Sequence, residues 1–183
     1  MKQITNYETV QASSGEFSRP TAGGYICKII DVEDVPFDKT KNKGDYLRIE
    51  YDIADGKFKD YYKQQFEKWG GNWNAYFIRS YKETALGMFK HFTNCLEKSN
   101  VGYEWDWNEK GIIGGLIGLV LGEEEYKNAN GDIRTKLVVA QIKTVEEIKN
   151  GDFKVPAPKK LSIETSSANI DNFMPVNDDD LPF

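Results

Sequence analysis

Residues 45–53 (DYLRIEYDI) alternate without a break, with Leu47, Ile49, Tyr51 and Ile53 pointing one way and Tyr46, Arg48, Glu50 and Asp52 the other. A period of two is the mark of a strand with one buried and one wet face. Residues 24–32 (GYICKIIDV) are rich in β-branched and aromatic side chains and run into a turn-prone stretch at 36–44, which predicts an earlier strand and a loop. Ala54-Asp55-Gly56 reads as a tight turn into 57–63 (KFKDYYK), expected to complete a hairpin antiparallel to the strand before it.

The pattern then changes. Residues 64–81 (QQFEKWGGNWNAYFIRSY) hold no clean period and contain Gly70-Gly71, so an irregular or partly helical connection is expected. Ala85, Met88, Phe89, Phe92 and Leu96 recur at helical spacing and predict an amphipathic helix over 82–99. Residues 111–121 (GIIGGLIGLVL) read as a buried strand that bends where side chains are missing. A hairpin follows over 123–139, through Asn130-Gly131 as a type I′ turn, and then a short helix at 145–149. From about residue 152 the chain turns to Pro, Lys, Ser, Asn and Asp without periodicity. The expected architecture is mainly β, a five-stranded OB-fold barrel with one helix between strands 3 and 4, plus a disordered acidic C-terminal tail. The expected domains are 1–151 as the barrel, 152–177 as a flexible linker and 178–183 as a separate tip.

Charge sharpens the picture. The chain of 183 residues carries a formal net charge of -5, which by itself argues against nucleic acid. The distribution argues the other way: residues 39–82 hold ten basic and six acidic side chains, while 171–183 hold four aspartates and no base. The middle is basic and the end acidic. The opening residues show no apolar signal segment and the longest apolar stretch, 111–122, is too short to span a membrane, so a cytoplasmic setting with reduced Cys27 and Cys95 is expected. His91 and Cys95 stand at i and i+4 but lack the further ligands that a structural zinc site needs. No nucleophile motif, carboxylate pair or phosphate loop points to catalysis, and no cofactor is implied.

Residues 39–82 also hold eleven of the 24 aromatic side chains. Single-stranded DNA exposes flat bases along a charged backbone, so a sequence-tolerant binder needs π surfaces for stacking and cations beside them. The side chains expected to line such a groove are Tyr46 and Arg48 from one strand, Lys57, Lys59, Tyr61 and Lys63 from the next, and Trp69, Trp73 and Arg79 from the connection. The alternative for each aromatic is a place in the core, and alternation puts Tyr51, Phe58 and Tyr62 there.

Residues 178–183 are Asp178, Asp179, Asp180, Leu181, Pro182 and Phe183. Leu181 and Phe183 can enter a small apolar pocket, a terminal carboxylate can pair with a basic rim, and the aspartates steer the encounter. This ending resembles that of the bacterial single-stranded DNA-binding protein family, in which an acidic run precedes an apolar residue, Pro and Phe. The body, especially residues 122–137 (GEEEYKNANGDIRTKL) and 151–161 (GDFKVPAPKKL), is similar to a family of small proteins encoded by phages and prophages of Gram-positive bacteria. The resemblance implies a protein that coats single strands in phage replication or recombination inside the bacterial host cell. Its tip would recruit host or phage replication and repair proteins, and a homo-oligomer is possible. An annealing or recombination-mediator protein is the nearest competing reading. A carbohydrate-binding or virion structural module, with Trp69 and Trp73 stacked on sugars, leaves the tip unexplained.

Overall fold

The computed structural model describes residues 19–40 and 44–161. Five strands, β1 (Gly23–Val35), β2 (Tyr46–Ile53), β3 (Tyr76–Ser80), β4 (Leu116–Lys127) and β5 (Ile133–Lys143), form one antiparallel sheet in the order β3-β2-β1-β4-β5. The sheet curls until its two end strands, β3 and β5, come within 8 Å of each other between Cα atoms, although no ladder joins them. Helix α1 (Tyr61–Trp69) lies between β2 and β3, α2 (Leu86–Ser99) between β3 and β4, and α3 (Val145–Asn150) follows β5.

The alternation of residues 45–53 is realised as expected on its inner side: Leu47, Ile49, Tyr51 and Ile53 are all buried. They meet Ile29 and Val32 of β1, Ile117, Leu119 and Leu121 of β4, and the inner face of α2. Phe92 of α2, fully buried, sets its ring edge-on to Phe77 of β3 at 5.7 Å. The glycine punctuation of β4 has a packing cause. A Cβ on Gly118 would lie 2.6 Å from both Ile148 Cγ1 and the Thr144 carbonyl, so α3 can cross the strand only where the side chain is missing.

Four expectations are corrected. Residues 57–63 are not a strand: a turn leads into α1, and the hairpin partner of β2 is β3, some fifteen residues further on. The reason is long-range. Asp52, placed on the wet face by alternation, is buried, and its carboxylate accepts the backbone N–H groups of Ile53, Tyr62 and Lys63 at 2.8, 3.0 and 2.9 Å. Those donors include first-turn amides of α1, so a residue of β2 caps the helix. Second, residues 64–81 are partly helical as expected, completing α1, but their far end is a strand, β3. Third, the Asn128–Asp132 turn is not type I′, since only Gly131 there has positive φ, at 85°, with its N–H donating to the Asn128 carbonyl.

Fourth, the flexible linker does not start at residue 152. Residues 152–161 form a strap laid back over the sheet. Phe153 covers Gly24, Pro156 covers Gly122, and a Cβ on either glycine would fall within 3 Å of the ring above it. Lys159 bridges in parallel to Glu124 of β4, donating its N–H to the Glu123 carbonyl at 2.8 Å and accepting from Glu125 N at 2.9 Å. The remaining linker positions, 162–177, and the tip, 178–183, lie outside the described residues.

Candidate nucleic-acid interface

The outer face of β2 and β3 is where side chains excluded from the core gather. Tyr46, Arg48 and Glu50 alternate outward on β2, and β3 presents Tyr76 and Ile78 between its inward Phe77 and Arg79. In register, Glu50 stands opposite Tyr76 and Arg48 opposite Ile78. The Arg48 guanidinium carbon lies 4.3 Å from the centre of the Tyr76 ring, a cation–π arrangement that fixes both groups in one plane of approach. Its Nη1 contacts Glu50, and its Nη2 reaches the Trp73 carbonyl at 3.5 Å.

From Trp73 the surface continues onto α1. The Trp73 indole N–H donates to the carbonyls of Tyr51 and Ala75, both at 3.1 Å, so this side chain is an anchor as well as a surface. Its ring meets Phe66 at 5.9 Å, and Phe66 and Trp69 stand three residues apart on one face of the helix. Trp69 is 68 % exposed, with the Lys68 ammonium 5.0 Å from its ring centre. The result is a band of Trp69, Phe66, Trp73, Arg48 and Tyr76, continued along β2 by Tyr46. It sets aromatic rings beside two cations, Arg48 against Tyr76 and Lys68 over Trp69.

Of the side chains expected in the groove, Tyr46, Arg48, Trp69 and Trp73 are brought onto this band. Lys57 and Lys59 sit on the turn before α1 and Lys63 in its first turn, all exposed, with Lys63 4.0 Å from Glu67. Tyr61 is half-buried and packs edge-on against Phe58 and Tyr62, at 6.3 and 5.3 Å. Tyr51 is core as expected, while Phe58 and Tyr62 are half-buried against the core's rim. Burial raises the Tyr62 hydroxyl to about 12. Arg79 is on the opposite face of β3: it lies 4.9 Å from the Phe77 ring centre, donates to the Ile78 carbonyl, and is brought down to about 10 by desolvation.

Phe66, Tyr76 and Ile78 were missed. Tyr76, 48 % exposed, and Ile78 belong to a five-residue alternation, YFIRS, hidden inside a stretch with no period as a whole. A shorter window would have found it. His91 and Cys95 do approach, at 3.6 Å, but His91 Nε2 is also 2.9 Å from the Ile142 carbonyl, a structural contact of α2 with β5. Among the described residues no group of three His, Cys, Asp or Glu side chains could hold a metal ion. No helix among them is long and apolar enough to cross a membrane.

No protein-family model matches the chain, and no curated protein matches it in sequence.

Proposed function

We propose that the curled sheet is an OB-type barrel and that the protein binds single-stranded DNA, with little sequence preference, along the outer face of β2 and β3. The strand pairings and the position of α2 between β3 and β4 support that reading, being consistent with an OB arrangement, whose binding face is on strands 2 and 3. The observation that carries the reading is the band from Trp69 to Tyr76 with Arg48 held against the ring. Stacking contributes ~1–3 kcal/mol per base and every base has a π face, so such a band is tolerant of sequence. Phosphates would be met by Arg48 and by Lys57, Lys59, Lys63 and Lys68 around α1. In this reading residues 178–183 recruit replication or repair proteins of the phage or its bacterial host, and the protein acts by binding, without a cofactor.

The test is a fluorescence titration of the four tryptophans with poly(dT) and with duplex DNA at two salt concentrations. Quenching by the single strand alone, weakening as salt rises, is expected, and Trp69→Phe should remove much of the signal. Absence of binding to either polymer overturns the proposal. Acceleration of complementary-strand pairing in the same mixtures would place the protein among annealing proteins instead.

A further inference from the structure

A concavity also opens at the start of α1. Between the start of α1, the approach to β3 and the outer half of β5 lies a cleft of about 220 Å³, lined by Tyr61, Tyr62, Asn74, Thr135, Lys136 and Arg19 among others. It is smaller than pockets that enclose drug-sized molecules and suits one flat ring system. Tyr61 and Tyr62 stand edge to face at 5.3 Å, so their orientation is set before any ligand arrives. The Asn74 amide and the Thr135 hydroxyl can each donate and accept, which is what the polar edge of a base requires. Among the described residues of the lining, Arg19 and Lys136 outnumber the one carboxylate, Glu123. Lys136, itself exposed, rests 3.6 Å from the half-buried Glu124, a pair that a phosphate can displace.

The position matters as much as the lining. Asn74 follows Trp73, the residue whose carbonyl receives Arg48, so the cleft adjoins the band at Trp73. We propose that it takes one nucleotide of a bound single strand, with the base against Tyr61 and the phosphate at Arg19 and Lys136. The strand then continues from the band past Asn74 toward β5. The inference rests on the binding function proposed above and adds a site where one nucleotide leaves the stacked row.

Photo-crosslinking tests it with the whole protein and a series of dT oligonucleotides, each bearing one 5-iododeoxyuridine. Trypsin separates residues 60–63, which hold Tyr61 and Tyr62, from residues 69–79, which hold Tyr76. Adducts in both peptides are expected, from iodinated positions several nucleotides apart. Thr135→Trp, which fills the cleft from an exposed strand position, should abolish the 60–63 adduct, keep the 69–79 adduct and weaken oligonucleotide binding roughly tenfold. If that variant fails to fold, Lys136→Glu should weaken the 60–63 adduct in the same selective way. Adducts confined to 69–79 overturn the cleft while leaving the binding function intact. So does labelling of 60–63 by free 5-iodo-dUMP but not by the oligonucleotides. Failure to retain any single strand removes the binding function itself, and the cleft with it.

Discussion

Arg48 and Arg79 are close in sequence character but opposite in consequence. Arg48 faces solvent against Tyr76, and Arg79, inverted by one step of the β3 pleat, spends its guanidinium beneath Phe77. Tyr76→Ala should therefore cost roughly tenfold in dT-oligonucleotide affinity while leaving the melting temperature nearly unchanged, read by titration and by thermal unfolding. Arg79→Ala should do the reverse, lowering stability by about 1–3 kcal/mol through lost packing with no change in affinity. Arg48→Gln should lower the slope of log K against log salt by about 0.7, the contribution of one phosphate contact on a single strand. Equal effects of the two arginine substitutions on binding would mean that the β2–β3 pair turns both faces to the ligand.

Helices here are held by residues that sequence proximity identifies in one case and conceals in the other. Thr144 and Glu147 make a capping box on α3: the Thr144 hydroxyl oxygen accepts the Glu147 N–H at 3.1 Å and Glu147 Oε2 accepts the Thr144 N–H at 2.8 Å. That short motif falls in the segment expected to be helical. The hydrogen bond from Thr144 N, with Lys143 beside it, holds the Glu147 carboxyl down at about 2, against an ordinary 4.5. Because the folded value is the lower one, the stabilisation is complete above about 4.5 and is lost as pH falls toward about 2. Thr144→Ala should cost ~1 kcal/mol at neutral pH, and the acid unfolding of Glu147→Gln should be flatter across that window. The first turn of α1 was not legible, because its cap, Asp52, comes from a strand ten residues away. The lysines and tyrosines of 57–63 satisfy a period of two as readily as a helical turn. Strand β2 and helix α2 were legible because each carries its own periodicity; β1, β4 and β5 showed through β-branched composition, an apolar run and a turn signal, although residues 111–115 are not strand, since a 3-10 turn at Glu109–Ile112 precedes β4. The site was legible as a composition, an aromatic and basic middle, but its membership depended on which face of β3 and α1 each residue took.

At the level of the whole molecule, the acidic sum conceals a cluster of exposed lysines around α1, Lys57, Lys59, Lys63 and Lys68, so binding should be governed by local rather than net charge. The strap from residue 152 to Leu161 is part of the same body. Removing the Phe153 ring from Gly24 should destabilise by roughly 1–2 kcal/mol, about half the cost of deleting a fully enclosed phenylalanine. The parallel bridge at Lys159 also occupies the side of β4 beyond the reach of β1, where Glu123 and Glu125 would otherwise offer an open carbonyl and amide. An unsatisfied strand margin of that kind templates pairing with another chain. A chain trimmed at Gly151 should accordingly melt lower and grow with concentration into assemblies visible by light scattering, while one trimmed at Leu161 stays dispersed. On that outcome the ten residues that read as spacer would be the molecule's protection against sticking to its own copies.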